Sequence, residues 1–296
     1  MSALAAELVD PDHEPEHEPD HEPGHEPGSA RDDAPVHRPQ SLLLGFLGAV
    51  VLYDELPPLP SVVLLDLLAD LGVTEAAARA TLKRMTQRGL LHRGQVGRSA
   101  EYGLTPLAER VLRQADERVS SPAPFTHPSG EWTLLSYSVP ESRRDLRHKV
   151  RSRLTWAGFG GLRDGLWIAP GTVDVAAVLA PDDLSEAVEL ADAFAARPLP
   201  GTDVDRLVRR AWDVAALRRA HLRFVADWSA PPRVRGSLAQ RTLLAADWLA
   251  LLRADPGLPA GQLGSDHPAA ASAALYERVA TALQPAARAA LRRALP

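Results

Sequence analysis

The 296-residue chain contains no cysteine, which excludes disulfides, cysteine-ligated zinc or iron–sulfur centres and any thiol nucleophile. It also lacks a long apolar run. Its longest, residues 42–53, falls short of the roughly 20 residues a membrane helix needs. Acids stand near the N-terminus where a secretory signal would carry bases. The expectation is a soluble, cytoplasmic protein without a membrane partner. Catalytic signatures are missing too: there is no G-x-S-x-G elbow, Walker loop, dinucleotide glycine fingerprint or metal-spaced histidine pair in the folded body. His92, His127, His148, His221 and His267 are scattered. No catalytic residue, metal or cofactor is therefore expected, although distant residues can still converge.

What is present is unevenly spread. The net charge is −5, which at first argues against a nucleic-acid partner. Residues 1–40 hold 11 acids and 2 bases, while residues 41–296 hold 27 acids and 31 bases. A net −9 tail thus hides a net +4 body. The tail repeats a four-residue unit ending in Pro15, Pro19, Pro23 and Pro27. Proline at that spacing blocks helix formation, and the scarcity of apolar groups leaves nothing to offset ordering entropy. Residues 1–38 are expected to be a disordered acidic appendage. The alternative is weak metal capture by His13, His17, His21 and His25, which lack a fixed geometry.

The ordered body begins near Pro39. Leu42, Leu43, Phe46, Leu47, Val50 and Val51 recur at helical spacing until Pro57-Pro58-Leu59-Pro60 stops them. A second helix fits 61–71, with Ser61 as candidate N-cap and Gly72 ending it. Thr74 can cap a third helix running to Arg88, terminated by Gly89. Leu90-Leu91 opens a strand, Gln95-Val96-Gly97-Arg98 turns, and 100–104 returns antiparallel. Thr105 before Pro106 then launches a helix to about Val119. Three helices followed by a small hairpin is the order of a winged helix-turn-helix.

Charge agrees with that placement. Residues 76–100 contain six bases (Arg79, Lys83, Arg84, Arg88, Arg93 and Arg98) and no acid. On the third helix Ala78, Leu82 and Met85 share a core-facing side. Arg79 and Lys83 lie together on another face, with Gln87 one turn further. Such a helix can lie in the major groove of double-stranded DNA, cations on phosphates and bidentate groups on base edges. Arg93 and Arg98 would bracket the wing. The competing reading is an ordinary solvated helix face.

Ser120-Ser121-Pro122-Ala123-Pro124 opens a linker, residues 120–130, and all six tryptophans lie beyond it. Residues 132–139 are β-rich and 141–156 helical, with Leu146, Val150 and Leu154 inward. Gly158-Phe159-Gly160-Gly161 turns into a strand at 166–169, and a later helix is expected over 184–193. This order predicts a ferredoxin-like α+β unit over 131–202, leaving 203–296 as a helical C-terminal unit. On the middle helix, Arg143, Arg147 and Arg151 recur at four-residue spacing. Such a row can grip phosphates bidentately, on DNA or on a nucleotide-bearing ligand, or simply face solvent. With Trp167, Trp212 and Asp213 these three are the candidate ligand-binding residues, placed where the middle and C-terminal units meet.

The sequence resembles the PaaX family of phenylacetate-catabolism repressors from about Ser41 onward. In the first unit the likeness rests on Leu71-Gly72-Val73-Thr74, Arg79, Leu82, Arg84, Gly89-Leu90-Leu91, Gly97-Arg98, Tyr102, Leu104 and Thr105. In the second it rests on Trp132-Thr133-Leu134-Leu135, Val139-Pro140-Glu141, Arg147, Leu154, Gly158-Phe159-Gly160 and Leu166-Trp167-Ile168-Ala169-Pro170. Ala211-Trp212-Asp213-Val214, Leu217, Phe224, Arg241, Asp255-Pro256-Gly257-Leu258-Pro259 and Leu275-Tyr276 carry it in the third. The resemblance implies a winged-helix DNA reader (39–119), a ferredoxin-like middle domain and a helical C-terminal domain. It implies a homodimeric repressor bound to an inverted-repeat operator and released by an aryl-coenzyme A thioester such as phenylacetyl-CoA. Where family members often carry aspartate-tryptophan-proline-glycine, this chain reads Asp266-His267-Pro268-Ala269. The middle unit also resembles the ferredoxin-like nucleases of CRISPR systems, but residues 132–139 lack their strand-end aspartate, so metal-dependent cleavage is not expected. The alternative reading is a hydrolase acting on CoA thioesters.

Overall fold

A computed structural model describes residues 37–52, 54, 56–121, 123–126, 130–179, 184–230, 234–264 and 266–295. The repeat-bearing tail, and with it the disorder and metal-capture expectations, lies outside these residues. His37 and Arg38, expected to belong to the tail, do not hang free. His37 Nε2 lies 2.6 Å from Asp247 Oδ1, and Arg38 occupies the N-cap of the first helix.

The first unit opens with α1 (Pro39–Phe46), whose last turn widens into a π-helical stretch, Leu47–Val51. Then come β1 (Leu59–Pro60), α2 (Ser61–Asp70), α3 (Glu75–Gln87), β2 (Leu91–Val96), β3 (Ser99–Leu104) and α4 (Pro106–Val119). The caps expected at Thr74 and Thr105 form: their side chains accept from the backbone N–H of Ala77 and Ala108. The cap expected at Ser61 does not. Pro60 holds that position, and Ser61 is already helical. Nor is the sheet the two-stranded hairpin expected from the sequence. Leu59 and Pro60 pair with Tyr102 and Glu101, giving a three-stranded antiparallel sheet of order β1-β3-β2. Proline is tolerated there because β1 is an edge strand with no obligatory donor toward solvent. This is the winged helix-turn-helix order.

The middle unit comprises β4 (Trp132–Tyr137), a 3-10 turn at Glu141–Arg143, α5 (Arg144–Trp156), β5 (Gly160–Arg163), β6 (Leu166–Pro170), α6 (Val175–Val178), α7 (Ser185–Val188) and β7 (Ala191–Ala196). Its antiparallel sheet runs β5-β6-β4-β7, the ferredoxin-like order. Two local expectations are corrected. Gly160 and Gly161 belong to β5 rather than to a turn, which is made instead by Gly158 at φ +87. The helix expected over 184–193 shrinks to α7, because Ala191–Ala196 pairs along the whole of β4. Six ladder partners outweigh the helical preference of an alanine-rich segment. Leu135, Tyr137, Trp167 and Ala169 face one core with α5, while Trp132, Leu134, Leu166 and Ile168 face the other.

The second core is closed by α8 (Val204–Ala211) and the start of α9 (Val214–Ser229). Next come α10 (Ser237–Ala254), α11 (Ala260–Leu263) and α12 (Ala269–Ala294). α10 packs directly on α1: a Cβ on Gly45 would lie 3.1 Å from the Ala246 nitrogen and 3.2 Å from the Thr242 carbonyl oxygen. Ala239, Ala246 and Leu291 accordingly join the core formed by Leu43, Phe46, Leu68, Leu82 and Met85. The segment after α4 is not an inert spacer, since Phe125 is buried edge-on against His221 and Trp248. Among the described residues no helix is long and apolar enough to cross a membrane.

Candidate nucleic-acid interface

The outward face of α3 follows from its inward one. Ala78, Thr81, Leu82 and Met85 are buried, and the Thr81 hydroxyl donates to the Ala77 carbonyl within the helix. The rotation this fixes leaves Arg79, Lys83, Arg84 and Gln87 exposed. Around the helix Arg79, Lys83 and Gln87 share one face, with Arg84 at its margin, where its Nη2 donates to Thr81 Oγ1 at 3.1 Å. Arg88 is half-buried and turns back, donating to Gln40 Oε1 at 3.4 Å; it braces α3 against α1. Arg79 is held by Glu75, one turn earlier, at 2.6 and 2.9 Å. Glu75 lies one residue outside the acid-free window of the sequence, so the window alone missed it.

The wing carries Arg93 on β2 and Arg98 in its turn, both exposed. Val96 pairs with Ser99, leaving Gly97-Arg98 as a two-residue loop, with Gly97 at φ +58. A positive φ at the first loop position is the type II′ geometry that matches strand twist and requires glycine. Arg79, Lys83, Gln87, Arg93 and Arg98 are thus exposed cations and an amide on one helix face and the adjoining hairpin, the side-chain chemistry that contacts phosphates and base edges.

The six candidate ligand residues do not come together as a set. Arg147, Arg151 and Trp167 line one cleft of about 650 Å³ with Tyr137, Arg163 and Arg210. Burial pushes the Tyr137 phenol above its usual value, opposed by a hydrogen bond with Trp167 and by the Arg151 and Arg147 guanidinium groups. Arg147 itself is partly committed, donating to the Val139 carbonyl at 2.8 Å. Arg143 pairs instead with Glu186. Trp212 packs on Trp132 across the opposite sheet face and donates to the Gly158 carbonyl at 3.3 Å. Asp213 caps α9, accepting from the Ala216 N–H at 2.8 Å. These two therefore fix the junction of β5, α8 and α9 and lie apart from the cleft.

One constellation escaped the sequence. His221 places Nδ1 3.0 Å from Ser272 Oγ and Nε2 2.8 Å from Asp255 Oδ2. That is the residue set of a serine hydrolase. Yet Ser272 and His221 are fully buried and Asp255 is 1% exposed, so no substrate carbonyl can approach the hydroxyl. Asp255 also accepts from the Gly257 N–H at 2.7 Å, and its backbone carbonyl accepts from Arg118 of α4 at 2.7 Å. The group is a buried strut tying α4 to α9 and α12. Only Asp255 among its acceptors carried a sequence signal, in the Asp255-Pro256-Gly257-Leu258-Pro259 run.

Comparison with known proteins bears on all three parts. Residues 38–108 match the family described as PaaX-like protein, residues 126–208 the PaaX protein central Cas2-like domain, and residues 212–293 the PaaX-like protein C-terminal domain. Among solved structures, the uncharacterized protein Rv0674 from Mycobacterium tuberculosis is 26% identical with a TM-score of 0.57, over 87% of this chain and 99% of that one. No curated protein matches the chain.

Proposed function

Because the chain belongs to the PaaX family, matched in order over its three parts, we propose that it is a sequence-specific DNA-binding transcriptional regulator, a repressor of an aromatic-acid catabolic operon. Residues 39–119 read the DNA, 131–202 form the middle domain and 203–296 the C-terminal one. In this reading a homodimer sets two copies of α3 in successive major grooves of an inverted repeat, half-sites about one helical turn apart. Lys83 and Gln87 face base edges, Arg79 and Arg84 the flanking phosphates, and Arg93 and Arg98 the backbone beside the wing. An aryl-CoA thioester such as phenylacetyl-CoA releases the complex by binding better to a conformer whose helices miss the half-site spacing. The basic cleft of Arg147, Arg151, Arg163 and Arg210 suits its phosphates.

The observation that carries this reading is the exposed Arg79–Lys83–Gln87 face of α3 beside a wing bearing Arg93 and Arg98. The Ser272–His221–Asp255 group gives thioester hydrolysis no support, being sealed from solvent. Fluorescence anisotropy with the region upstream of the protein's own gene tests the proposal. Lys83→Ala should weaken specific binding by about 1–3 kcal/mol if it reads a base, or lower the salt slope by about one unit if it contacts phosphate. Unchanged affinity and slope in both Lys83→Ala and Arg79→Ala would remove α3 as the reading helix. A protein–DNA complex that survives phenylacetyl-CoA and related thioesters would remove the inducer.

A further inference from the structure

A mainly apolar cavity lies away from the basic cleft. About 620 Å³ opens between α1 and α4 on one side and α10 and α12 on the other, lined by Gly48, Val111, Leu112, Trp248, Tyr276 and Ala280 among others. That volume falls within the roughly 300–1,000 Å³ of small-molecule sites. Trp248 and Tyr276, both on its lining, stack face to face at 4.3 Å with an 8° interplanar angle.

Into this apolar space the fold brings a cation without a counter-ion. Arg241 is 6% exposed and lines the cavity. Its Nε donates to Gln284 Oε1 at 2.8 Å, and Gln284 in turn donates to the Ala49 carbonyl at 3.0 Å. Its Nη1 is buried with no hydrogen-bond partner, and among the described residues no carboxylate pairs with it. Trp248 also lines the cavity, and its indole nitrogen is buried and likewise unpartnered. A buried guanidinium lacking an anion, and two buried donors lacking acceptors, are each costly arrangements that proteins rarely keep. Burial also holds the Tyr276 phenol above its usual value, opposed by the Arg241 charge and a side-chain hydrogen bond with Arg241 and aided by Asp116.

We propose that this cavity is a binding site for an apolar monocarboxylate, with an aryl or alkyl body against Trp248, Tyr276, Val111 and Leu112 and a carboxylate on Arg241 Nη1. Trp248 Nε1 supplies the second donor. Asp116 and Glu277 also line the cavity, which disfavours a second carboxylate on the ligand. The ligand differs from a CoA thioester, whose acyl carbon bears no charge, and its binding is read without DNA. Failure of the repressor reading therefore leaves this one standing, and the reverse.

Isothermal titration calorimetry on the full chain tests it with 3-phenylpropionate and octanoate, their neutral amides, and phenylacetyl-CoA. At least one acid should bind once per chain, and its amide at least about tenfold more weakly. Arg241→Met and the cavity-filling Ala280→Phe should each weaken the acid by about tenfold or more. Should Arg241→Met fail to fold, Ala280→Phe and the amide comparison carry the test. No acid binding at about 10 mM, an amide as tight as its acid, or a cooperatively folded Ala280→Phe that binds like the parent would each overturn the site. Binding of phenylacetyl-CoA alone would place the ligand elsewhere and overturn it as well.

Discussion

Replacing Asp255 by alanine tests the buried strut, and the structure fixes the size of the effect. The carboxylate accepts from the Gly257 N–H at 2.7 Å and pairs with His221 Nε2 at 2.8 Å, all in a closed site. Alanine leaves the amide and one imidazole nitrogen without partners, each costing roughly 1–3 kcal/mol. It also removes the charge facing Arg118, whose guanidinium burial already holds below its usual value while Asp255 acts to raise it. The expected loss is about 3–5 kcal/mol, the range for breaking one side of a buried ionic group, or roughly 6–20 °C in melting temperature. Asparagine should cost only about 1–2 kcal/mol. Its oxygen still accepts from Gly257, and its amide donates to His221 in the tautomer that carries its proton on Nδ1, toward Ser272. Urea unfolding followed by tryptophan fluorescence measures both, since every tryptophan lies at or beyond Trp132. A cost below about 1 kcal/mol for alanine, or equal costs for the two variants, would refute the strut.

Other perturbations probe separate parts of the chain. A Cβ on Gly160 would lie 2.6 Å from both the Ala211 Cβ and its carbonyl oxygen, so Gly160→Ala must part β5 from α8; a thermal shift should report a loss of about 1–3 kcal/mol, and none would contradict the close approach. The His267 imidazole is held below its usual value of 6.5 by burial and by the neighbouring His221. The unfolded chain thus takes up that proton more readily, so this contribution is full above pH 6.5 and is lost as pH falls through the lowered folded value. Melting temperature should decline on acidification from there, less steeply in His267→Gln; equal slopes would count against the assignment. Glu75→Gln frees Arg79 from an exposed pair worth about 0.3–0.5 kcal/mol. In the DNA-binding reading it should tighten operator binding about twofold at low salt, and weaker binding would mean that Arg79 needs the pair to be positioned.

What the sequence conveyed well was local chemistry. Thr74 and Thr105-Pro106 announce helices α3 and α4 because an N-cap is a property of four consecutive residues. Elements made by distant partners were opaque. Leu59-Pro60 reads as a breaker until β3 lies beside it, and residues 191–193 read as the end of a helix until β4 offers a ladder. The basic residues show the same division. Arg79, Lys83, Arg84 and Arg88 look alike in the sequence, but Arg88 is turned inward by Gln40, 48 positions away. Trp212 and Asp213 read as ligand contacts because they stand where the middle and C-terminal units meet; their contacts with Trp132, Gly158 and Ala216 are structural ones. The unpartnered Nη1 donor of Arg241 could not be read at all, since it is defined by the acceptors that fail to surround it.

The first unit is not a bead on a string. α1 supplies Leu43 and Phe46 to the core beneath α3, while its Gly45 lies against the backbone of α10 and its widened last turn accepts from Gln284 of α12. α4 is held at its far end by Arg118 on the Asp255 carbonyl. α3 therefore shares its core with two helices that are themselves tied to the C-terminal unit. Packed interfaces of this density do not deform continuously; they shift as bodies or separate. In the repressor reading, a rearrangement that changes how two copies of α3 are spaced must either move the C-terminal helices with the first unit or open the α1–α10 contact. The apolar cavity lies along that same seam, between α1 and α4 on one side and α10 and α12 on the other, so a ligand seated in it would touch both sides of the contact that has to open.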